Sequence, residues 1–178
     1  MEEDEIEEVK KYSNDKDKMM EFVKKEGVAL EWASEELQND KELVLEAVKN
    51  DGGALEFASD NLKADKDVLL AAVEVKGFVL CYASDELKDD KDVVLKAAKS
   101  DGQILYYASQ RLRDDKDVVI EAVSNKAIIL KYASRRLRAD KDVAIAAIKQ
   151  NKKALSYVAD ELKNDEDIQN IINPPAES

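Results

Sequence analysis

The sequence predicts an all-α solenoid of about seven helical hairpins, fourteen short helices in all. The first observation is a period of 25 residues, visible as one aromatic residue per unit. A fixed period of this length is typical of stacked repeats, in which each unit buries its apolar face against its neighbours. The second observation is that glycine and proline are scarce, five and two in 178 residues, which favours helix throughout. The aromatic column is Trp32, Phe57, Tyr82, Tyr107, Tyr132 and Tyr157.

The first half of each unit has the apolar spacing of a single helix, which we call helix A. In the unit that starts at residue 27, Leu30, Ala33 and Leu37 lie on one face of a helix of about ten residues. The aromatic residue lies on another face, so we expect it to wedge against the next unit. We expect the hydroxyl of Ser34, the first of a serine column, to bond back to its own helix.

The second half of each unit predicts another helix, helix B, which begins after an aspartate. Asp40 is a favourable N-cap, and Leu43, Val44, Ala47 and Val48 supply the apolar face that follows it. The aspartate recurs in seven copies, so we predict seven such helices. The copies are Asp15, Asp40, Asp65, Asp90, Asp115, Asp140 and Asp165.

A glycine follows helix B in four units, where a left-handed residue often ends a helix. These glycines are Gly27, Gly52, Gly77 and Gly102. Ala127 and Lys152 interrupt the column, so we expect the turns there to close differently or to use Asn125 or Asn151 as the left-handed residue.

The repeat predicts one array over residues 1–172. Both ends are more polar than the interior, which is typical of capping repeats. We expect a capping unit at residues 1–26, internal units at 27–151 and a terminal cap at 152–172. Residues 173–178 are predicted to form a flexible tail.

Composition argues against several classes of function. The sequence contains no histidine, and its one cysteine, Cys81, lies at a variable surface position, so we expect no catalytic site, no cofactor and no metal. The Asp-Lys-Asp motifs resemble part of a calcium loop but lack its remaining ligands, and helix capping explains them better. A net charge of −12 disfavours binding to membranes and to nucleic acid. With no visible signal peptide, we expect the cytosol or nucleus, or a host cell if the protein is an effector.

The motif YAS-x-x-L-x-x-DKDVV-x-x-A occurs at residues 82–97 and 107–122. It resembles the tandem helical repeats of the family called domain of unknown function 4116, over roughly residues 12–165. The resemblance implies helical interaction modules without an assigned activity. It assigns no functional residue, because the shared positions are those that build the fold.

Function is therefore expected at the positions that vary between units. The strongest candidate is a basic cluster that contains all five arginines, in a chain whose first unit is acidic. We expect a non-catalytic protein-binding scaffold; the alternative is a regulatory or effector module that binds an acidic or phosphorylated ligand, or nucleic acid, through this cluster. The same residues are also explained as an ordinary solvated patch at helix ends, where basic side chains suit the helix dipole. Self-association through the acidic first unit is a further alternative. The candidate binding residues are Arg111, Arg113, Lys131, Arg135, Arg136 and Arg138.

Overall fold

The computed structural model describes residues 3–174, and it confirms an all-α repeat solenoid. No strand occurs within those residues. We number the units 1 to 7 in chain order; units 2 to 6 are residues 27–51, 52–76, 77–101, 102–126 and 127–151. Residues 175–178 of the predicted flexible tail lie outside the described part of the chain.

Each of units 2 to 7 contains three helical segments. The first is a 3-10 helix: Gly27–Trp32, Gly52–Phe57, Gly77–Tyr82, Gly102–Tyr106, Ala127–Tyr132 and Lys152–Tyr157. The second is a short helix of three or four residues: Glu35–Gln38, Asp60–Lys63, Asp85–Lys88, Leu112–Asp114, Arg135–Arg138 and Asp160–Leu162. The third is a long α-helix: Lys41–Asn50, Lys66–Val75, Lys91–Ser100, Lys116–Asn125, Lys141–Gln150 and Glu166–Ile172. Unit 1 has two α-helices, Glu3–Lys11 and Lys16–Lys25.

The prediction of a continuous helix A is wrong, because the chain breaks at the alanine that follows the aromatic residue. Ala33 is extended, with φ −71° and ψ 153°, and so is Ser34. The Ser34 hydroxyl accepts a hydrogen bond from the amide of Leu37 and thereby caps the short helix. The predicted bond of this serine back to its own helix is therefore also wrong.

The serine column also connects successive units. The amide of Ser59 donates to the carbonyl of Gln38 in unit 2, at 2.9 Å, and its hydroxyl donates to Asn39 at 2.6 Å. Ser134 makes the equivalent pair of contacts with Arg113 and Asp114 in unit 5. One small residue thus caps a helix and fixes its unit to the preceding one.

The predicted aspartate caps are confirmed in all seven long helices. In each, the carboxylate accepts from one or two amides of the first helical turn; Asp90 accepts from Asp92 and Val93. The long helices form one layer, in which each packs on the long helix of the next unit, and the 3-10 helices form a second layer. The core lies between these layers and is apolar; Leu55, Leu80 and Leu105 are among its fully buried side chains.

The glycine column allows each 3-10 helix to approach the long helix of its own unit closely, and it does not end helices in a left-handed conformation. No glycine among residues 3–174 has a positive φ, and Asn151 is extended, with φ −156°. A Cβ atom on Gly52 would lie 2.5 Å from the carbonyl oxygen of Ala72, in the long helix of the same unit. Both predictions for this turn, a left-handed glycine and a left-handed asparagine in its place, are therefore wrong.

A lysine after each capping aspartate forms ion pairs with the next unit. Lys66, for example, lies 2.6 Å from the carboxylate of Asp90, and it also approaches Asp92. The same arrangement begins at Lys16, Lys41, Lys91, Lys116 and Lys141. The ion pairs lower the pKa of the capping carboxylates: for Asp90 the hydrogen bond from Lys66 is the main cause, burial opposes it, and the amide of Val93 adds to the lowering.

No helix within residues 3–174 is long and apolar enough to cross a membrane.

We predict that Gly52→Ala destabilises the array by about 1–3 kcal/mol, because the new methyl group would overlap a backbone carbonyl that cannot move independently. Gly53→Ala is the matched control. Its Cβ would meet the ends of two movable side chains, the Asp51 carboxylate at 3.0 Å and the Lys76 Nζ atom at 3.7 Å, and we expect a change within about 0.5 kcal/mol. Urea unfolding measures both. Equal losses would contradict a close approach specific to Gly52.

We predict that the free energy of unfolding is nearly constant from about pH 7 to pH 5 and falls steeply below about pH 4. The folded state lowers the pKa of the capping aspartates that pair with a lysine, such as Asp90, so their contribution is present above the unfolded pKa and disappears as the pH falls through the folded pKa. Asp90→Asn keeps a capping side chain but loses the charge, so its acid dependence should be shallower than that of the wild type. Asp85→Asn, on an exposed side chain, is the control; identical pH profiles for Asp90→Asn and the wild type would contradict the assignment.

Candidate functional site

The 3-10 helices present the most variable surface of the array. Residues three apart lie above one another in a 3-10 helix, so the second and fifth residues of each segment share one face. We call these positions the 3-10 face, and most of them are exposed. They are Val28 and Glu31, Gly53 and Glu56, Phe78 and Cys81, Gln103 and Tyr106, Ile128 and Lys131, and Lys153 and Ser156. Unlike the buried columns, they change between acidic, aromatic, aliphatic and basic residues.

The aromatic column lies beside the 3-10 face and is half-buried. Several of its contacts reach a neighbouring unit: the Tyr82 hydroxyl donates to Glu56 of unit 3, the rings of Tyr106 and Tyr132 lie 5.0 Å apart across units 5 and 6, and the Nζ atom of Lys10 in unit 1 lies 4.7 Å from the ring centroid of Trp32. Burial, together with the bond to Glu56, raises the pKa of Tyr82 to about 12. The column therefore joins the packed interior to the exposed surface.

Aromatic side chains gather most densely where units 4, 5 and 6 meet. There a cleft of about 400 Å³ lies between Phe78, Tyr106, Tyr107 and Tyr132, with the carboxylate of Asp101 at its edge. Unit 5 is irregular here, because its 3-10 helix ends at Tyr106, one residue earlier than in the other units. Sequence analysis missed this site, although consecutive tyrosines at 106 and 107 are found in no other unit.

The structure divides the predicted basic cluster into side chains with different environments. Arg111 binds Asp89 through its Nε atom at 3.0 Å, and Arg136 binds Asp114 in the same way. Each pair joins two consecutive units. Hydrogen bonds from Ser109 and then Arg111 lower the pKa of Asp89, and the equivalent bonds act on Asp114. Arg111 and Arg136 therefore already have anionic partners.

Arg113 has a structural role as well. Its guanidinium donates to the carbonyl oxygens of Ala108 and Tyr106, at 2.9 and 2.7 Å. Tyr106 is the last residue of the 3-10 helix and Ala108 follows it; in unit 2, Gln38 similarly donates to the carbonyl oxygens of Leu30 and Glu31 near the end of the 3-10 helix. The side chain at this position therefore closes the turn between two helices. Lys131 stands over the ring of Tyr132, with its Nζ atom 4.7 Å from the centroid.

Arg135 and Arg138 differ from the other arginines. Among residues 3–174 neither has an ion-pair partner, and the Nε atom of Arg138 is buried without a hydrogen bond. Both line a polar cleft of about 310 Å³ between units 6 and 7, which also includes Lys163, Asp160 and Glu161. Lys163 pairs with Asp160 at 2.6 Å. Of the predicted binding residues, these two arginines remain the most available for an anion.

The cysteine and the acidic residues are candidates for catalytic or metal chemistry within residues 3–174. Cys81 is half-buried, and burial raises the pKa of its thiol, which disfavours the reactive thiolate. Within the described part of the chain, no three His, Cys, Asp or Glu side chains are arranged to hold a metal ion. The capping aspartates are instead engaged by backbone amides and lysines.

The chain belongs to the family described as domain of unknown function (DUF4116), whose model matches residues 15–63, 40–88, 65–113, 90–138 and 140–169. The first four matches start 25 residues apart and each spans two units, so the family's repeat corresponds to two of the units seen here. Neither the curated proteins nor the solved structures include a significant match.

Proposed function

We propose that this protein is a non-catalytic protein-binding scaffold, and that its binding surface is the 3-10 face. The observation that carries the proposal is the contrast between columns: the buried positions repeat from unit to unit, whereas the exposed positions of the 3-10 helices do not. Packing accounts for the repeated residues. It does not require a phenylalanine, a tyrosine or an isoleucine at exposed positions, and such residues are typical of interaction sites.

The apolar part of this surface spans units 4 to 6. Phe78, Tyr106 and Ile128 are 40%, 52% and 46% exposed, and they come from three consecutive units. Stacking holds them on one surface without a flexible loop, so little conformational entropy is lost when a partner binds. A scaffold of this kind needs no catalytic group. We place it in the cytosol or nucleus, where its single thiol stays reduced.

A second candidate function is the binding of an acidic or phosphorylated segment by Arg135 and Arg138. It is favoured because, within residues 3–174, neither side chain has an ion-pair partner, whereas Arg111 and Arg136 are paired. Guanidinium groups suit carboxylates and phosphates because they donate two parallel hydrogen bonds. The acidic helix Glu3–Lys11 of another copy is one such segment.

The scaffold proposal predicts that peptides selected from a random library lose at least about tenfold in affinity when Phe78, Tyr106 and Ile128 are all changed to serine. A few exposed aromatic and apolar residues commonly contribute more than about 1.4 kcal/mol to the free energy of binding, and this energy corresponds to a tenfold change in affinity. The matched control changes Tyr12 and Val75 to serine, because these are 38% and 42% exposed but lie outside the 3-10 face. Calorimetry measures affinity. Binders that respond equally to both sets of changes, or to neither, would contradict this surface.

The second candidate predicts that an acidic phosphoserine peptide binds the wild type with an affinity that falls as salt rises from about 50 to 200 mM, because the attraction is screened. Arg135→Glu with Arg138→Glu should abolish binding. Arg111→Gln with Arg136→Gln should preserve it, since those side chains are engaged by Asp89 and Asp114. Fluorescence anisotropy distinguishes the variants, and binding lost equally in both would exclude a specific site at Arg135 and Arg138.

A further inference from the structure

The cleft between units 4, 5 and 6 combines aromatic rings with an acidic group. Tyr106 lies 5.0 Å from both Tyr107 and Tyr132, and its ring plane is turned by 80° and 64° relative to theirs. Phe78 lines the same cleft from the preceding unit. Rings arranged edge to face turn their π faces in several directions, and such faces attract cations.

The carboxylate at the edge of the cleft has no cationic partner within residues 3–174. Asp101 accepts a hydrogen bond from the amide of Gln103, at 2.9 Å. Two units earlier, Asp51 occupies the same position and pairs with Lys76 at 2.6 Å. Lys126 stands in the corresponding place after Asp101, but it forms no such pair. The cleft therefore contains an unpaired negative charge beside several aromatic rings.

A cation already occupies one ring at the margin of this site. Lys131 places its ammonium group 4.7 Å from the centroid of Tyr132, which shows that a ring of this group can accept a cation. Lys131 is not part of the cleft lining. Its position leaves Phe78, Tyr106 and Tyr107 free of any cation contact within the described residues.

We propose that this cleft binds an alkylated ammonium group, carried by a lysine side chain of a basic segment in a partner protein. The proposal rests on the proposed function, because it assigns a partner chemistry to the 3-10 face. Methylated ammonium is favoured over a primary ammonium, which is strongly hydrated and loses more on contact with aromatic rings.

Two features favour a protein-borne group over a free small cation. The cleft is open, with Phe78 and Tyr106 40% and 52% exposed, whereas sites for small molecules usually bury most of the ligand. The same face carries Glu31 and Glu56 in units 2 and 3, on the N-terminal side of the cleft, whereas Lys131 and Lys153 lie on its C-terminal side. A basic segment that runs from the cleft toward units 2 and 3 would therefore meet complementary charge.

The test uses one basic peptide in three forms, with a central trimethyllysine, with an unmodified lysine, or with the neutral analogue in which a tert-butyl group replaces the trimethylammonium group. We expect the trimethyllysine peptide to bind the intact chain about tenfold more tightly than the neutral analogue, in the range of cation–π contacts. Equal affinity of these two peptides would overturn recognition of a cation. Tetramethylammonium chloride is the free-cation arm, and if it bound as tightly as the peptide, the assignment to a partner protein would be overturned.

Substitutions in and around the cleft test whether it is the binding site. Tyr106→Ala and Asp101→Asn should each weaken the trimethyllysine peptide by at least about threefold, and Lys131→Gln, which removes a competing cation, should not weaken it. Tyr12→Ala is the matched control, because it removes an exposed tyrosine outside the cleft. Circular dichroism melting curves confirm that each variant is folded. If Tyr106→Ala bound as the wild type does, the proposed site would be wrong.

The outcome is separable from that of the scaffold proposal. Library peptides that bind the 3-10 face without an ammonium group, together with no preference for trimethyllysine, would leave the scaffold intact and reject the cation site. If library peptides do not depend on the 3-10 face but the trimethyllysine peptide depends on Tyr106, the cleft is a cation site and the broader binding surface is wrong.

Discussion

The architecture depends on the distance between the first residue of each 3-10 helix and the long helix of the same unit. At four positions this distance leaves no room for a Cβ atom: on Gly27 it would lie only 2.3 Å from the carbonyl oxygen of Ala47. Because each glycine comes just after the long helix of the preceding unit, the close approach also sets the spacing between successive long helices. It brings each lysine within reach of the next capping aspartate, and each serine within reach of the preceding short helix. The ion pairs and inter-unit hydrogen bonds therefore stabilise a spacing that backbone contact has already fixed.

The same geometry separates the packed residues from the exposed ones. In a 3-10 helix the third and fourth residues point inward, as Ala29 and Leu30 do, while the second and fifth are directed to the other side. An α-helix would rotate its exposed positions gradually around the axis, whereas this short 3-10 segment gives two stacked outward positions in every unit. Substitutions there leave the core unchanged, so the surface of the array can vary while the fold is retained.

Sequence analysis predicted the period, the solenoid and the aspartate caps, because each depends on local chemistry that one unit displays and the others repeat. It did not predict the break in helix A, since Leu30, Ala33 and Leu37 fit one α-helix as well as two shorter segments. Ser34 was the available signal, because a serine that precedes two glutamates is a typical N-cap. The role of the glycines could not be predicted, because a left-handed turn and a close backbone contact both favour the same residue.

The ion pairs of two arginines could have been predicted from the internal repeats of this single sequence. Arg111 and Arg136 each stand 22 residues after an aspartate, Asp89 and Asp114. At the position equivalent to Asp89, unit 3 has Ala64 instead of an aspartate. The residue 22 positions later is Glu86 instead of an arginine. A contact between neighbouring units thus appears as two positions that change together from one repeat to the next, as they would between aligned homologous proteins.

These internal ion pairs change what the basic cluster implies about a binding partner. Five guanidinium groups without partners would repel one another, and an external anion would be the natural way to offset that repulsion. With Arg111 and Arg136 neutralised by aspartates and Arg113 engaged by carbonyls, that repulsion is small. The number of arginines is therefore no argument for an anionic partner. Within residues 3–174, Arg135 and Arg138 have no ion-pair partner, and Asp101 does not pair with Lys126 as Asp51 pairs with Lys76, so these three side chains leave charge available for binding.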